Sequence, residues 1–85
     1  MGIQKMLDTV RSRGLLIEDM DFEPHPMGSI GYKEFIIVIK VHNTLIRLYH
    51  NKILKRYYVV VPGNRTTYQT LDDAIDAIIQ YKESN

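Results

Sequence analysis

Three β-rich runs follow one another in the middle of the chain, and their spacing limits the possible folds more than any other feature. The runs cover residues 32–41, 44–50 and 53–62, and the links between them are His42-Asn43 and Asn51-Lys52. Asparagine tolerates the positive φ of tight turns, so two-residue links of this kind are typical of antiparallel hairpins. The sequence therefore predicts an antiparallel sheet with at least three consecutive strands.

Two such turns would also fix which side chains share a face of the sheet. In that register Ile46 faces Tyr57, and Arg47 lies directly opposite Arg56. One face is then largely apolar and is the predicted core face: Phe35, Ile37, Ile39, Val41, Ile46, Leu48, Ile53, Tyr57 and Val59, with Lys55 as a polar exception. The second face mixes cations, aromatic rings and aliphatic chains: Ile36, Val38, Lys40, Leu45, Arg47, Tyr49, Leu54, Arg56, Tyr58 and Val60.

The segment before these strands predicts a helix and an edge strand. Apolar residues at helical spacing indicate a helix over residues 3–13, and Gly14 stands where a left-handed cap is expected. Residues 15–22 predict a short edge strand. Its side chains on one face would be Leu16, Met20 and Phe22. The two prolines and two glycines within residues 23–31 predict a loop.

The chain closes with a second amphipathic helix, predicted over residues 71–83. Thr70 and Asp73 have the spacing of an N-cap residue and the acidic residue that follows it. The predicted architecture is an α+β fold in which N-terminal and C-terminal helices flank an antiparallel sheet of three to four strands. With only 85 residues, we expect one small domain over 1–85.

Composition narrows the class of protein. The chain has no cysteine, which excludes disulfides, thiolate zinc sites and cysteine nucleophiles and fits a reducing compartment. No apolar run approaches the length of a membrane span, and the first residues lack the apolar core of a signal peptide. We therefore expect a cytoplasmic protein that does not bind membranes.

Charge is distributed unevenly along the chain although its net value is only +1. Residues 32–65 carry seven cationic and one acidic side chain, whereas residues 1–31 carry three and five, and residues 66–85 carry one and four. A basic middle between acidic flanks is a surface that a partner can recognise.

The predicted working surface is the second sheet face, where cations alternate with tyrosines. Guanidinium and ammonium groups bind phosphates, and aromatic rings stack on bases, so this combination indicates binding to DNA or RNA. The candidate residues are Lys40, Arg47, Tyr49, Arg56 and Tyr58, with Lys52 and Arg65 at the edges.

Self-association is the alternative use of the same face. Its aliphatic side chains form an apolar patch that a small domain tends to cover with a second copy or with its first helix. These are Ile36, Val38, Leu45, Leu54 and Val60. A homodimer is therefore the competing prediction, and it depends on whether both helices pack against the core face.

Enzymatic and metal-dependent functions find little support in the sequence. His25, His42 and His50 fall in a loop and two turns without the spacing of metal ligands. No serine or threonine stands in the context of an activated nucleophile, and no glycine-rich phosphate loop is present. We predict a non-enzymatic binding protein with no cofactor, no metal and no small-molecule substrate.

The stretch from Gly31 to Ile79 resembles the three-stranded sheet and helix of plant-type transcription-factor domains and of integrase arm-binding domains. The resemblance lies in the string Tyr68-Gln69-Thr70-Leu71-Asp72-Asp73-Ala74, which opens the helix. It implies that the face with Arg47 and Tyr58 enters a DNA groove. It also favours an accessory protein of the kind that viruses or mobile elements encode.

Overall fold

The computed structural model describes residues 2–24 and 32–84. Within them it has two α-helices and one five-stranded antiparallel sheet with the strands in sequential order. The elements are α1 (Ile3–Ser12), β1 (Leu16–Pro24), β2 (Tyr32–Val41), β3 (Thr44–Asn51), β4 (Arg56–Val61), β5 (Asn64–Tyr68) and α2 (Leu71–Ser84). The predicted α+β class is confirmed, with one strand more than expected.

The strand that sequence analysis missed is β5. It pairs with β4 across a tight turn in which Gly63 adopts a positive φ of 82°. Four of its five side chains are exposed, and Tyr68 is half-buried. The sequence of such an edge strand shows no alternation of apolar and polar residues, because neither face of the strand is buried in the core.

Both helices pack against the same face of the sheet. Their apolar stripes join the inward side chains of the central strands in one buried cluster. From the helices come Met6, Leu7, Val10, Leu71, Ala74, Ile75 and Ile78, and from β2 to β4 come Tyr32, Phe35, Ile37, Ile39, Val41, Ile46, Leu48, Tyr57 and Val59. Neither of the two described helices packs against the opposite face of the sheet, which is called the open face below.

The second hairpin differs from its predicted register. Val41 pairs with Thr44 as predicted, but the turn after β3 has four residues, 52–55, so that Asn51 pairs with Arg56. The Asn51 side-chain oxygen accepts a hydrogen bond from the Leu54 backbone N–H at 2.9 Å, and Lys55 takes the positive φ of 54°. Asparagine is common in two-residue turns and also stabilises wider turns through its side chain. Composition alone therefore does not distinguish the two turn lengths.

The wider turn overturns several predicted contacts and leaves the faces intact. Arg47 pairs with Val60 rather than Arg56, and Ile46 does not face Tyr57 because His50 does. The register moves by four residues, and since side chains alternate with a period of two, an even shift keeps every strand residue on its predicted face. The exceptions are three residues that leave the strand for the turn: Ile53, Leu54 and Lys55.

A β-bulge in β1 corrects the predicted edge strand. Ile17 pairs with Ile39 and Asp19 pairs with Val38, so Glu18 is the extra residue. The bulge reverses the alternation of side chains along the strand. Leu16 therefore lies on the open face, while Met20 and Phe22 lie on the helix-covered face, and the prediction that all three share one side is wrong.

Local hydrogen bonds define where the helices end and begin. The Gly14 N–H donates to the Arg11 carbonyl at 3.0 Å and the Leu15 N–H to the Val10 carbonyl at 3.4 Å, with Gly14 at φ 80°, which is a Schellman motif. At the start of α2 the Asp73 N–H donates to Thr70 Oγ1 at 3.1 Å, as the capping pattern predicts. The end of α1 and the start of α2 thus orient the apolar stripe of each helix toward the sheet.

An aromatic cluster closes one end of the helix-covered face. The His50 ring stacks on Tyr57 with 4.5 Å between centroids, and its Nδ1 lies 2.8 Å from the Tyr32 hydroxyl. Burial lowers the pKa of His50 below its ordinary value of 6.5, and the positive charge of Lys52 lowers it further. The lowered pKa favours the neutral imidazole, whose unprotonated ring nitrogen can accept a hydrogen bond from the Tyr32 hydroxyl.

The depressed pKa of His50 predicts a loss of stability in weak acid. The unfolded chain takes up a proton near pH 6.5 whereas the folded chain does so at a lower pH, so unfolding is favoured as the pH falls from 6.5 to the folded pKa. Urea unfolding at pH 7.5 and 5.5 measures the difference. His50→Gln should reduce it, with His42→Gln as the control; an unchanged pH dependence in His50→Gln would contradict the assignment.

Candidate nucleic-acid interface

The open face presents its side chains in rows that cross the sheet. The register places residues of neighbouring strands side by side in four rows, and the row nearest the first hairpin turn is Leu16, Lys40 and Leu45. The other three are numbered from that end. From β1 toward β5 the first row is Asp19, Val38, Arg47, Val60 and Arg65. The second is Asp21, Ile36, Tyr49, Tyr58 and Thr67, and the third is Glu23, Glu34, Asn51 and Arg56.

Two paired tyrosines form the centre of this face. Tyr49 is half-buried and lies opposite Tyr58, which is only 9% exposed although neither described helix covers it. The guanidinium carbon of Arg65 stands 4.4 Å from the centroid of the Tyr58 ring. This cation–π contact accounts for part of the burial and places a cation next to a phenol ring.

A shallow groove of about 250 Å³ runs across the open face. Its lining residues come from four strands: Glu34, Tyr49, Val60 and Arg65. One end of the groove is therefore acidic and the other basic, with an aromatic ring and an aliphatic side chain between them.

Six of the seven predicted site residues share the open face. Lys40 and Arg47 are exposed on β2 and β3, and Arg65 is exposed on β5 next to Tyr58. Arg56 lies at the start of β4, two rows from Arg47, which separates the two backbones by about 13 Å along the strands. The prediction that these two arginines lie directly opposite each other is thus wrong.

Lys52, the seventh predicted residue, lies elsewhere. Its Nζ stands 5.3 Å from the centroid of the Tyr32 ring, which belongs to the buried cluster on the helix-covered face. The backbone N–H of Lys52 also donates to the Lys33 carbonyl at 2.9 Å. Because the four-residue turn carries Lys52 past the end of the sheet, its ammonium group is separate from the arginines of the open face.

The acidic run on β1 is visible in the sequence as a charged edge that deters strand pairing, but the sequence did not place it on the open face. Asp19, Asp21 and Glu23 follow one another on β1 at every second position, and Glu34 stands beside them on β2. The bulge at Glu18 decides which carboxylates of β1 lie on this side, and no pattern in the sequence marks it. The open face is consequently divided into an acidic half on these four residues and a basic half on Lys40, Arg47, Arg56 and Arg65.

The carboxylates of the acidic half also protect the edge of the sheet. Asp19 Oδ1 accepts the Met20 N–H and Asp21 Oδ1 accepts the Phe22 N–H, both at 2.8 Å. Glu23 lies 3.7 Å from the Lys33 ammonium group. Backbone donors that are already bonded cannot pair with another strand, so β1 is a poor template for edge-to-edge association.

The two described histidines have structural contacts. His42 adopts φ 55° in the first hairpin turn, and its Nε2 lies 3.0 Å from the Lys82 carbonyl near the end of α2. His50 belongs to the aromatic cluster, and His25 lies outside the described residues. Within residues 2–24 and 32–84, no group of three or more histidine, aspartate or glutamate side chains is placed to hold a metal ion.

Of the helices that the structure describes, none is both long and apolar enough to cross a membrane. Comparisons with known proteins give no family for the chain: no family model, no curated protein and no solved structure matches it.

Proposed function

We propose that this chain is a non-enzymatic binding protein whose basic half binds single-stranded DNA or RNA. The supporting observation is that three neighbouring strands bring together Arg47, Tyr49, Tyr58 and Arg65. They share the sheet face that is covered by neither α1 nor α2. Sheets that bind single strands combine aromatic rings for the bases with cations for the backbone.

The spacing of these side chains suits a strand laid across the sheet. Neighbouring strands are about 4.8 Å apart and successive residues on one face about 6.6 Å apart, so each ring has a cation within reach. Tyr49 offers its ring to a base in the groove beside Val60. Arg65 exchanges its contact with the Tyr58 ring for a phosphate, which frees that ring for a second base.

Salt dependence tests this proposal. At low salt, Arg47→Ala/Arg65→Ala should weaken binding to labelled poly-pyrimidine DNA and RNA oligonucleotides by at least tenfold. Two lost phosphate contacts should also reduce the slope of log affinity against log salt by about 1.4. The control is Lys5→Ala/Arg11→Ala, which removes two exposed cations from α1 on the other side of the sheet.

Fluorescence anisotropy across a salt series supplies both quantities. A control variant that loses as much affinity as the open-face variant would show that binding follows net charge and not this surface. Tyr49→Leu keeps an apolar side chain but removes the ring, and it should weaken binding by about 1 to 3 kcal/mol. Unaltered affinity in that variant would remove base stacking from the proposal.

A further inference from the structure

The acidic and basic halves of the open face stand on opposite sides of an apolar centre. The acidic half occupies β1 and the neighbouring end of β2, and three of the four basic residues lie on β3 to β5. Between them lie the half-buried side chains of Ile36, Val38, Tyr49 and Val60. A surface that carries both charges with an apolar strip between them is complementary to itself.

Of the two two-fold arrangements that keep the strands of stacked sheets aligned, one uses that complementarity. With the axis parallel to the strands, β1 of one copy lies over β5 of the other, and acidic residues meet basic ones. With the axis across the strands, β1 lies over β1, so that Asp19 would face the second copy's Glu23 and Asp21 would face the second copy's Asp21. Like charges facing each other across an interface are strongly unfavourable, so the charge pattern selects the first arrangement.

We infer that two copies of this chain pair through their open faces, about a two-fold axis parallel to the strands. In this arrangement Asp19 lies over the second copy's Arg65, and Glu34 lies over the second copy's Arg56. Val38 meets Val60 between them. Aligned sheets cross at about −30°, which displaces the outer strands by about 5 Å, a distance that an arginine side chain spans.

The pairing surface is small. Four strand spacings and about six residues of strand length give a flat area of about 400 Å² per copy. Such an area lies at the lower end of specific protein interfaces, which sets the expected dissociation constant in the micromolar range or above. Arg47, on the central strand, meets its own copy near the axis, and this repulsion weakens the pair further.

Pairing covers the same arginines that the proposed function assigns to phosphates, with carboxylates of the second copy in the place of phosphate oxygens. The inference does not depend on nucleic-acid binding, because it follows from the division of charge alone. If both hold, nucleic acid and the second copy compete for the face.

Charge reversal at the outer contact tests the pairing. The wild type is expected to show a mass that rises toward two copies as its concentration increases to several hundred micromolar, by sedimentation equilibrium at low salt. Asp19→Arg and Arg65→Asp should each raise the dissociation constant roughly ten- to a hundredfold, because two symmetric attractions become repulsions. An equimolar mixture of these two variants should pair as well as the wild type, since each variant supplies what the other lacks.

The controls separate pairing from folding and from nucleic-acid binding. Asp8→Arg changes an exposed acid on α1 and should leave the mass unaltered. Arg47→Ala should weaken nucleic-acid binding and strengthen pairing, because it removes the repulsion at the axis. A wild type with a single-copy mass at every concentration, or variants that do not pair when mixed, would overturn the inference and leave the nucleic-acid proposal standing.

Discussion

Ile46→Ala is expected to lower the free energy of unfolding by about 3 to 4 kcal/mol. Ile46 has 0% exposure and belongs to the cluster that joins both helices to the sheet. Its truncation removes buried apolar surface and leaves a cavity that the packed strands cannot close. A chain of 85 residues has roughly 4 to 13 kcal/mol of stability, so this single change removes a large part of it.

Leu45→Ala is the matched control for that experiment. Leu45 precedes Ile46 on β3, points to the open face and is 45% exposed, so its truncation should cost less than about 1 kcal/mol. Urea unfolding followed by circular dichroism gives both values. Equal costs for the two variants would mean that the helix-covered and open faces have been assigned wrongly. The pair of substitutions therefore tests the face assignment on which both proposals depend.

Deleting Glu18 is expected to cost about 3 kcal/mol or more. The deletion removes the extra residue of the bulge, so the residues before it exchange faces. Ile17 would leave the core side of the sheet, and Leu15, which is buried at the end of the Schellman motif, would be displaced toward the open face. Leu16 would move to the core side in place of Ile17, so the cost comes mainly from Leu15. Its transfer from the core to solvent costs about 1.5 to 3 kcal/mol, and the lost Schellman hydrogen bonds add about 1 kcal/mol.

Glu18→Ala shows whether the number of residues or the side chain matters. The substitution keeps the chain length and therefore the bulge, and because Glu18 is exposed the change should cost less than about 0.5 kcal/mol. Thermal unfolding of both variants, with the melting temperature converted to free energy, checks the contrast. A deletion as mild as the substitution would show that the sheet tolerates either alignment of β1.

Periodicity was the part of the sequence that carried the most information. The alternation along β2 and β3 identified the core face, and helical spacing identified both helices to within a residue at each end. The second turn was predicted two residues too short, yet the faces survived because the resulting displacement is even. A displacement by an odd number would have put Arg56 and Tyr58, on β4, on the helix-covered face.

Elements without periodicity escaped prediction. β5 is polar along most of its length, so only its pairing with β4 makes it a strand. The position of Lys52 followed from a turn that is stabilised by one side-chain hydrogen bond. The acidic half depends on one inserted residue in β1. In each case the position of the residues is decided by a contact with a neighbouring strand. Contacts of this kind produce no periodic pattern in the local sequence.

The order of the residues was enough to determine the fold class, both helices and the separation of apolar from mixed side chains on β2 to β4, because burial on one face imposes a period on the sequence. Tertiary structure alone decided that both helices cover one face and that carboxylates share the other with arginines. The physical reason is that periodicity in the sequence reflects which side chains are buried. The relative positions of charged groups on an exposed face depend on strand register and on bulges, and burial does not constrain these.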